Sequence, residues 1–236
     1  MASAEIVDRL VLYDIDGTLI TTGRAGVRGM NAAFARLHGR TDALAGVTLA
    51  GRTDRAIVSQ VFQSFGVEAG DPEIEALRDA YIEHLREEIQ KPVPDSGVLP
   101  GVVASIEALE AKSGVGIGLL TGNFVRGAEI KLGHFGLWQR FRFGAFGDAH
   151  ADRRHLVPVA IDEARRATGA SIDARRVVVI GDTPLDVDCA HAHGAVAVAV
   201  ATGPFSTAEL AASRPDLVLE SLEDVQPLID LVDRLN

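Results

Sequence analysis

The chain has 236 residues and a mass of 25.0 kDa, with 47% hydrophobic and 24% charged residues. This excludes wholesale disorder and leaves room for one large domain, or a core carrying a smaller one. Lys+Arg 23 against Asp+Glu 33 gives a formal charge of −10 and a pI of about 5.1, which argues against a nucleic-acid grip built on a basic face.

The N-terminal MASAEIVDRL has no basic n-region followed by an apolar segment, and no later run approaches the ~18 apolar residues of a membrane span. Export and membrane insertion are not expected. Leu10 to Tyr13 is the first short apolar run, of the kind that forms a parallel strand buried on both faces. From about Thr21 to Gly97 no strand-like run follows, and the pattern is helical. Val27, Met30, Phe34 and Leu37 share one face; Ile57, Val58, Val61, Phe62 and Phe65 share another; Ile74, Leu77, Tyr81, Leu85 and Ile89 keep the same period. Gly39, Gly66 and Pro72 punctuate these helices, and PVPDSGVLPG reads as a return linker.

Strand and helix then alternate. A helix around Ile106 and Leu109 precedes a strand at Val115 to Leu120, and a helix at Leu156 to Ala167 precedes a strand at Val177 to Ile180. Asp186 to His193 makes another helix, stopped by Gly194, before strands at Val196 to Val200 and Leu217 to Leu219. Cys189, the single cysteine, falls in that last helix as a small core residue. With one cysteine there is neither an intramolecular disulfide nor a thiolate zinc site, and a cytoplasmic setting is expected. The alternation predicts an α/β fold: a Rossmann-like three-layer core with a doubly wound parallel sheet over residues 1–20 and 98–236, and an inserted all-helical domain over 21–97.

Ligands in open α/β sheets bind outside the carboxyl ends of the strands. The first strand runs into Asp14-Ile15-Asp16-Gly17-Thr18-Leu19 and so delivers two carboxylates there. Alternation separates them: one can attack a substrate while the other, two residues on, holds or delivers a proton. After the second core strand come Thr121-Gly122-Asn123, whose hydroxyl and turn N–H groups suit phosphoryl oxygens without adding charge. A third strand leads into Gly181-Asp182-Thr183-Pro184-Leu185-Asp186. Hard carboxylate oxygens suit Mg²⁺, and Asp182 is the expected metal partner of Asp14. His150, His155, His191 and His193 are scattered with no ligand spacing and are expected at the surface or in satisfied core positions.

These segments, in this order, resemble the haloacid dehalogenase superfamily and, within it, the phosphatases similar to phosphoglycolate phosphatase. The D-x-D-G-T, the Thr-Gly-Asn and the G-D-T-x-x-D match the family's first, second and fourth motifs, and the resemblance spans nearly the whole chain. The third motif, a Lys or Arg that steadies the phosphoryl group, departs from the common Lys form. In its place stands Ala151-Asp152-Arg153-Arg154-His155-Leu156; register favours Arg153, with Arg154 as the alternative.

The resemblance implies that Asp14 attacks phosphorus, giving an aspartyl-phosphate, and that Asp16 protonates the leaving alkoxide and then deprotonates water. It implies Mg²⁺ held by Asp14, the Asp16 backbone carbonyl and Asp182, with Asp186 orienting the shell, and phosphoryl oxygens bound by Thr121, Asn123 and Arg153. Gly122 of the same turn is expected to bind substrate with Asn123. The helical insert corresponds to the family's cap. Within it Gly51-Arg52-Thr53-Asp54 is a polar turn in which Thr53 or Asp54 caps the next helix or contacts substrate, and Arg52 could take a substrate carboxylate or a second phosphate. The expected function is hydrolysis of a small phosphorylated metabolite, phosphoglycolate being the first to test, with no nucleic-acid or membrane partner. A sugar phosphomutase keeps the same aspartates and stays open. A 2-haloacid dehalogenase has no need of Asp16, and a non-catalytic binding protein no need of intact motifs. Oligomeric state is unread.

Overall fold

The computed structural model describes residues 7–235; the first six residues of the N-terminal segment lie outside it. The chain runs β1 (Arg9–Tyr13), β2 (Ile20–Thr22), α1 (Ala25–His38), α2 (Asp54–Ser64), α3 (Asp71–Glu88), β3 (Ser96–Val98), α4 (Val102–Glu110), β4 (Val115–Leu120), α5 (Val125–His134) and β5 (Gly144–Ala145). It continues through α6 (Leu156–Thr168), β6 (Val177–Gly181), α7 (Pro184–His191), β7 (Val196–Val200), α8 (Thr207–Ala212), β8 (Leu217–Leu219) and α9 (Gln226–Asp233). Six strands form one parallel sheet in the order β5-β4-β1-β6-β7-β8.

Period-two alternation sends successive strand residues to opposite faces and divides the core into two layers. Val11, Tyr13, Val178, Ile180, Val198 and Val200 point to one side, where α4, α5 and α9 cover them. Leu10, Leu12, Val177, Val179, Ala197 and Ala199 point to the other, under α6, α7 and α8. The fold is therefore α/β with helices on both faces of a parallel sheet, as the near-continuous apolar strands require. Among the described residues no helix is long and apolar enough to cross a membrane.

Helices α1, α2 and α3 gather around a third apolar cluster, centred on Phe34, Val58, Val61, Leu77 and Tyr81, which Phe124 from the turn before α5 joins. The helical periods are present, with two corrections. Leu37 is exposed rather than on the buried face. Pro72 lies in the first turn of α3, where a missing N–H costs nothing, rather than between helices. The stretch without strands is also bounded by two: β2 and β3 pair antiparallel, Ile20 opposite Val98 and Thr22 opposite Ser96, as the two crossings of the chain run side by side. Three residues per strand are too few to show a period.

Candidate active site

Strand register assembles the site. β1 pairs with β4 and β6 so that Tyr13 lies opposite both Leu119 and Ile180, and the Asp14 N–H donates to the Ile180 carbonyl at 2.9 Å. Asp14, Thr121 and Asp182 thus emerge at the carboxyl ends of three adjacent strands, at the point where the strand order reverses direction. Gly17, at φ 81°, turns the chain away beneath Asp182; a Cβ there would run into that carboxylate.

Asp14, Asp182 and Asp186 are all buried and each offers an oxygen within 4.8 Å of the others'. Asp186 spends Oδ2 on the Thr183 N–H at 3.0 Å and hydroxyl at 2.7 Å. Its Oδ1, like Asp14 Oδ1, has no hydrogen-bond partner. Burial pushes Asp14 up to about 6, against the pull of Arg153. Burial and then the charges of Asp186 and Asp14 push Asp182 up to about 8. Crowded carboxylate oxygens of this kind fit a divalent, oxygen-preferring cation. The cluster holds the side chains expected of positions 14, 182 and 186 but not that of Asp16, whose carboxylate turns elsewhere and could join a metal shell only through its backbone carbonyl.

Arg153 is buried, with Nη2 3.2 Å from Asp14 Oδ1 and in contact with Asp186. Burial alone would loosen its proton, but Asp14 and Asp186 together hold it well above the usual arginine range. Its guanidinium also donates to the Leu120 carbonyl at 3.3 Å and the Gly51 carbonyl at 3.1 Å. Arg154 is exposed and pairs with Asp152 at 2.6 Å. Of the two candidates, only Arg153 reaches the acids.

Asp16 faces a different set. Its Oδ2 accepts from Lys131 Nζ at 2.6 Å and from the Asn123 side-chain amide at 2.9 Å, leaving Oδ1 free of hydrogen bonds. Lys131 also donates to Asn123 Oδ1 at 2.6 Å, and the Asn123 amide reaches Thr121 Oγ1 at 2.8 Å. Desolvation would discharge Lys131, yet Asp16, Tyr81 and Asp54 raise it above the ordinary lysine range. Lys131 belongs to none of the motifs. Its signal lies in α5, whose buried face runs Gly127, Ala128, Lys131 and Leu132; a lysine on the apolar stripe of a helix needs a buried partner.

The turn at Gly51 to Asp54 is a clamp between the helical region and these loops. Thr53 caps α2 through the Ala56 N–H at 3.1 Å and donates to the Ala151 carbonyl at 2.9 Å. The Asp54 N–H donates to the Gly122 carbonyl at 2.7 Å, and its Oδ2 accepts the Phe124 N–H at 2.8 Å, at the start of α5. A Cβ on Gly122 would collide with the Arg52 carbonyl, which explains a glycine there. Asp148 accepts the next N–H, of Val125, at 2.7 Å. Arg52 lines the cavity, but its guanidinium is engaged by Gln60 and by the Thr48 and Ala56 carbonyls. His150, His155, His191 and His193 lie outside the acid cluster, and Cys189 is a core residue.

The haloacid dehalogenase-like hydrolase family model matches residues 11–191. The chain belongs to that family and is a hydrolase. It is similar over most of its length to curated phosphatases. A phosphoglycolate phosphatase of Cereibacter sphaeroides is 30% identical over 186 residues, 78% of this chain and 81% of that one. An N-acetylmuramic acid 6-phosphate phosphatase of Pseudomonas aeruginosa is 28% identical over 230 residues, covering 96% and 95%. Among solved structures, CbbY from Rhodobacter sphaeroides in complex with phosphate superposes with a TM-score of 0.70 at 18% identity, over 93% of this chain and 97% of that one, a likeness of fold.

Proposed function

We propose that the protein is a Mg²⁺-dependent phosphatase that hydrolyses a small phosphorylated metabolite through an aspartyl-phosphate on Asp14. One observation carries this: a buried aspartate at the sheet's switch point shares its surroundings with two further carboxylates and one buried guanidinium. The acids outnumber the cations there, and a divalent ion held by Asp14, Asp182 and Asp186 would offset the excess and screen nucleophile from phosphate.

Asp14 attacks phosphorus and displaces the alkoxide. Arg153, Thr121 and the Asn123 N–H take the phosphoryl oxygens, where charge spreads in a loose transition state. Asp16, presenting Oδ1, gives its proton to the leaving oxygen and then takes one from the water that cleaves the acyl phosphate. Lys131 is a positioning residue: with Asn123 it fixes Oδ2 and so aims Oδ1. Residues 21–97 act as the cap, and the clamp at Gly51 to Asp54 ties its position to the loops carrying Asn123 and Arg153. The setting is cytoplasmic in this reading. The relatives' names span a two-carbon acid and an amino-sugar acid, so the reading stops at the phosphomonoester class. Purified protein should hydrolyse p-nitrophenyl phosphate with Mg²⁺ and stop on addition of EDTA; turnover indifferent to chelation would refute the metal assignment.

A further inference from the structure

The cavity over the strand ends encloses about 470 Å³, within the range that takes a drug-sized ligand. Asp14, Thr121 and Arg153 line one part of it. Asp16, Thr22, Asp54 and Lys131 add polar groups to the lining, and the rest includes an apolar wall: Val27 and Met30 of α1, Leu44 and Leu49 of the segment that follows, and Ile57 of α2. A phosphorylated two-carbon acid would leave most of that wall against water, whereas apolar surface is stabilised by whatever removes it from water.

Arg24 also lines the cavity. It precedes α1 in the left-handed region at φ 64°, exposed; its carbonyl accepts the Arg28 N–H at 3.1 Å, and among the described residues its guanidinium makes no hydrogen bond or ion pair. The other cavity cations are all committed, Arg52 to Gln60, Lys131 to Asp16, and Arg153 to Asp14 and Asp186. A guanidinium with its donors unspent, at the start of the helix that carries Val27 and Met30, matches a carboxylate in a planar fork.

We infer that the alcohol part of the substrate is an extended, largely apolar body ending in a carboxylate, with the phosphoryl group at Asp14, the body along Val27, Met30, Leu44, Leu49 and Ile57, and the carboxylate on Arg24. This rests on the phosphatase reading, and the test separates the two. Catalytic efficiency is measured for ω-carboxyalkyl phosphates from phosphoglycolate to the six-carbon acid, for n-alkyl phosphates of equal length whose tails carry no carboxylate, and for p-nitrophenyl phosphate. Efficiency should rise about fourfold for each added methylene, the ratio expected for a methylene leaving water, and the carboxylate should add about tenfold over the n-alkyl ester of the same length. Arg24→Gly, which accepts the positive φ without strain, should erase the carboxylate advantage, and Arg24→Lys should restore part of it. Phosphoglycolate outperforming its longer homologues, or a carboxylate advantage that survives Arg24→Gly, would overturn the inference while leaving the phosphatase intact. Turnover of none of the esters, the aryl ester included, would overturn the phosphatase reading and the inference together.

Discussion

The ends of the sheet and the helical wall above them are built by different means. At the sheet ends, backbone register places Asp14, Thr121 and Asp182 with no freedom to drift, and charge is concentrated in a buried space. The wall is made of side chains on α1, α2 and the intervening segment, each replaceable by another apolar residue of similar volume. On the proposed function, chemistry is thus fixed where geometry is dictated by hydrogen bonds, and selectivity lies where only packing constrains the choice. Substitutions at the strand ends should abolish turnover for every ester, and substitutions in the wall should re-rank esters.

The largest effect belongs to the proposed nucleophile. Asp14→Asn should lower kcat by at least about a thousandfold on aryl and alkyl phosphates alike; a loss confined to one class would break the division just drawn. Lys131→Met comes next. If it acts through Asp16, to which it donates at 2.6 Å, the loss should depend on the leaving group: about tenfold to a hundredfold on an alkyl phosphate, which needs a proton, and a retained rapid burst of nitrophenol from the aryl ester, which does not. Uniform losses on both would reduce Lys131 to a packing role, and Lys131→Arg should recover part of the alkyl activity.

The clamp between the two regions predicts a smaller effect. Asp54→Ala removes the acceptor at the start of α5 and should cost about 1 kcal/mol in thermal unfolding, as losses of helix caps do, while raising KM more than it lowers kcat. Burial holds Asp54 up at about 6, so that cost should be measured above this value, where the carboxylate is charged.

The last prediction concerns stability. In metal-free protein Asp182 titrates near 8, pushed up mainly by burial, against an ordinary value of 3.8. A raised carboxyl pKa means that the folded state keeps a proton the unfolded chain has released. The contribution of this group therefore weakens stability progressively as pH climbs from about 4 towards 8. Asp182→Asn should accordingly stabilise the metal-free protein by about 1 kcal/mol or more at pH 8 and make little difference near pH 4. Mg²⁺ should raise the wild-type Tm and leave that of the variant nearly unmoved. Melting curves with and without EDTA check both.

The difference between the regions also explains what could be read from sequence. Strands buried on both faces appear as plain apolar runs, which is why β1, β4, β6 and β7 and the acids at the tips of β1 and β6 are legible, along with the half-buried edge strand β8 and the periods of α1, α2 and α3. The two-residue β5 and the β2–β3 pair left no pattern because their pairing is dictated by where the chain must cross. Arg153 and Arg154 differ by one position and identical chemistry; only the turn before α6 decides which is buried. Lys131 was hidden because its partner Asp16 lies 115 residues away, and nothing local marks a lysine as paired. Asp54 announced itself as a cap, but the helix whose first N–H groups it meets is α5, across the clamp, while Thr53 caps its own.

The covalent step offers the most direct test. Protein mixed with a stoichiometric phosphate ester and Mg²⁺, quenched in acid and reduced with borohydride, should carry homoserine at position 14 when its peptides are sequenced by mass spectrometry. Unmodified aspartate at 14 in samples that had released the alcohol and not yet the phosphate, or homoserine at 16, 182 or 186 instead, would contradict the assignment.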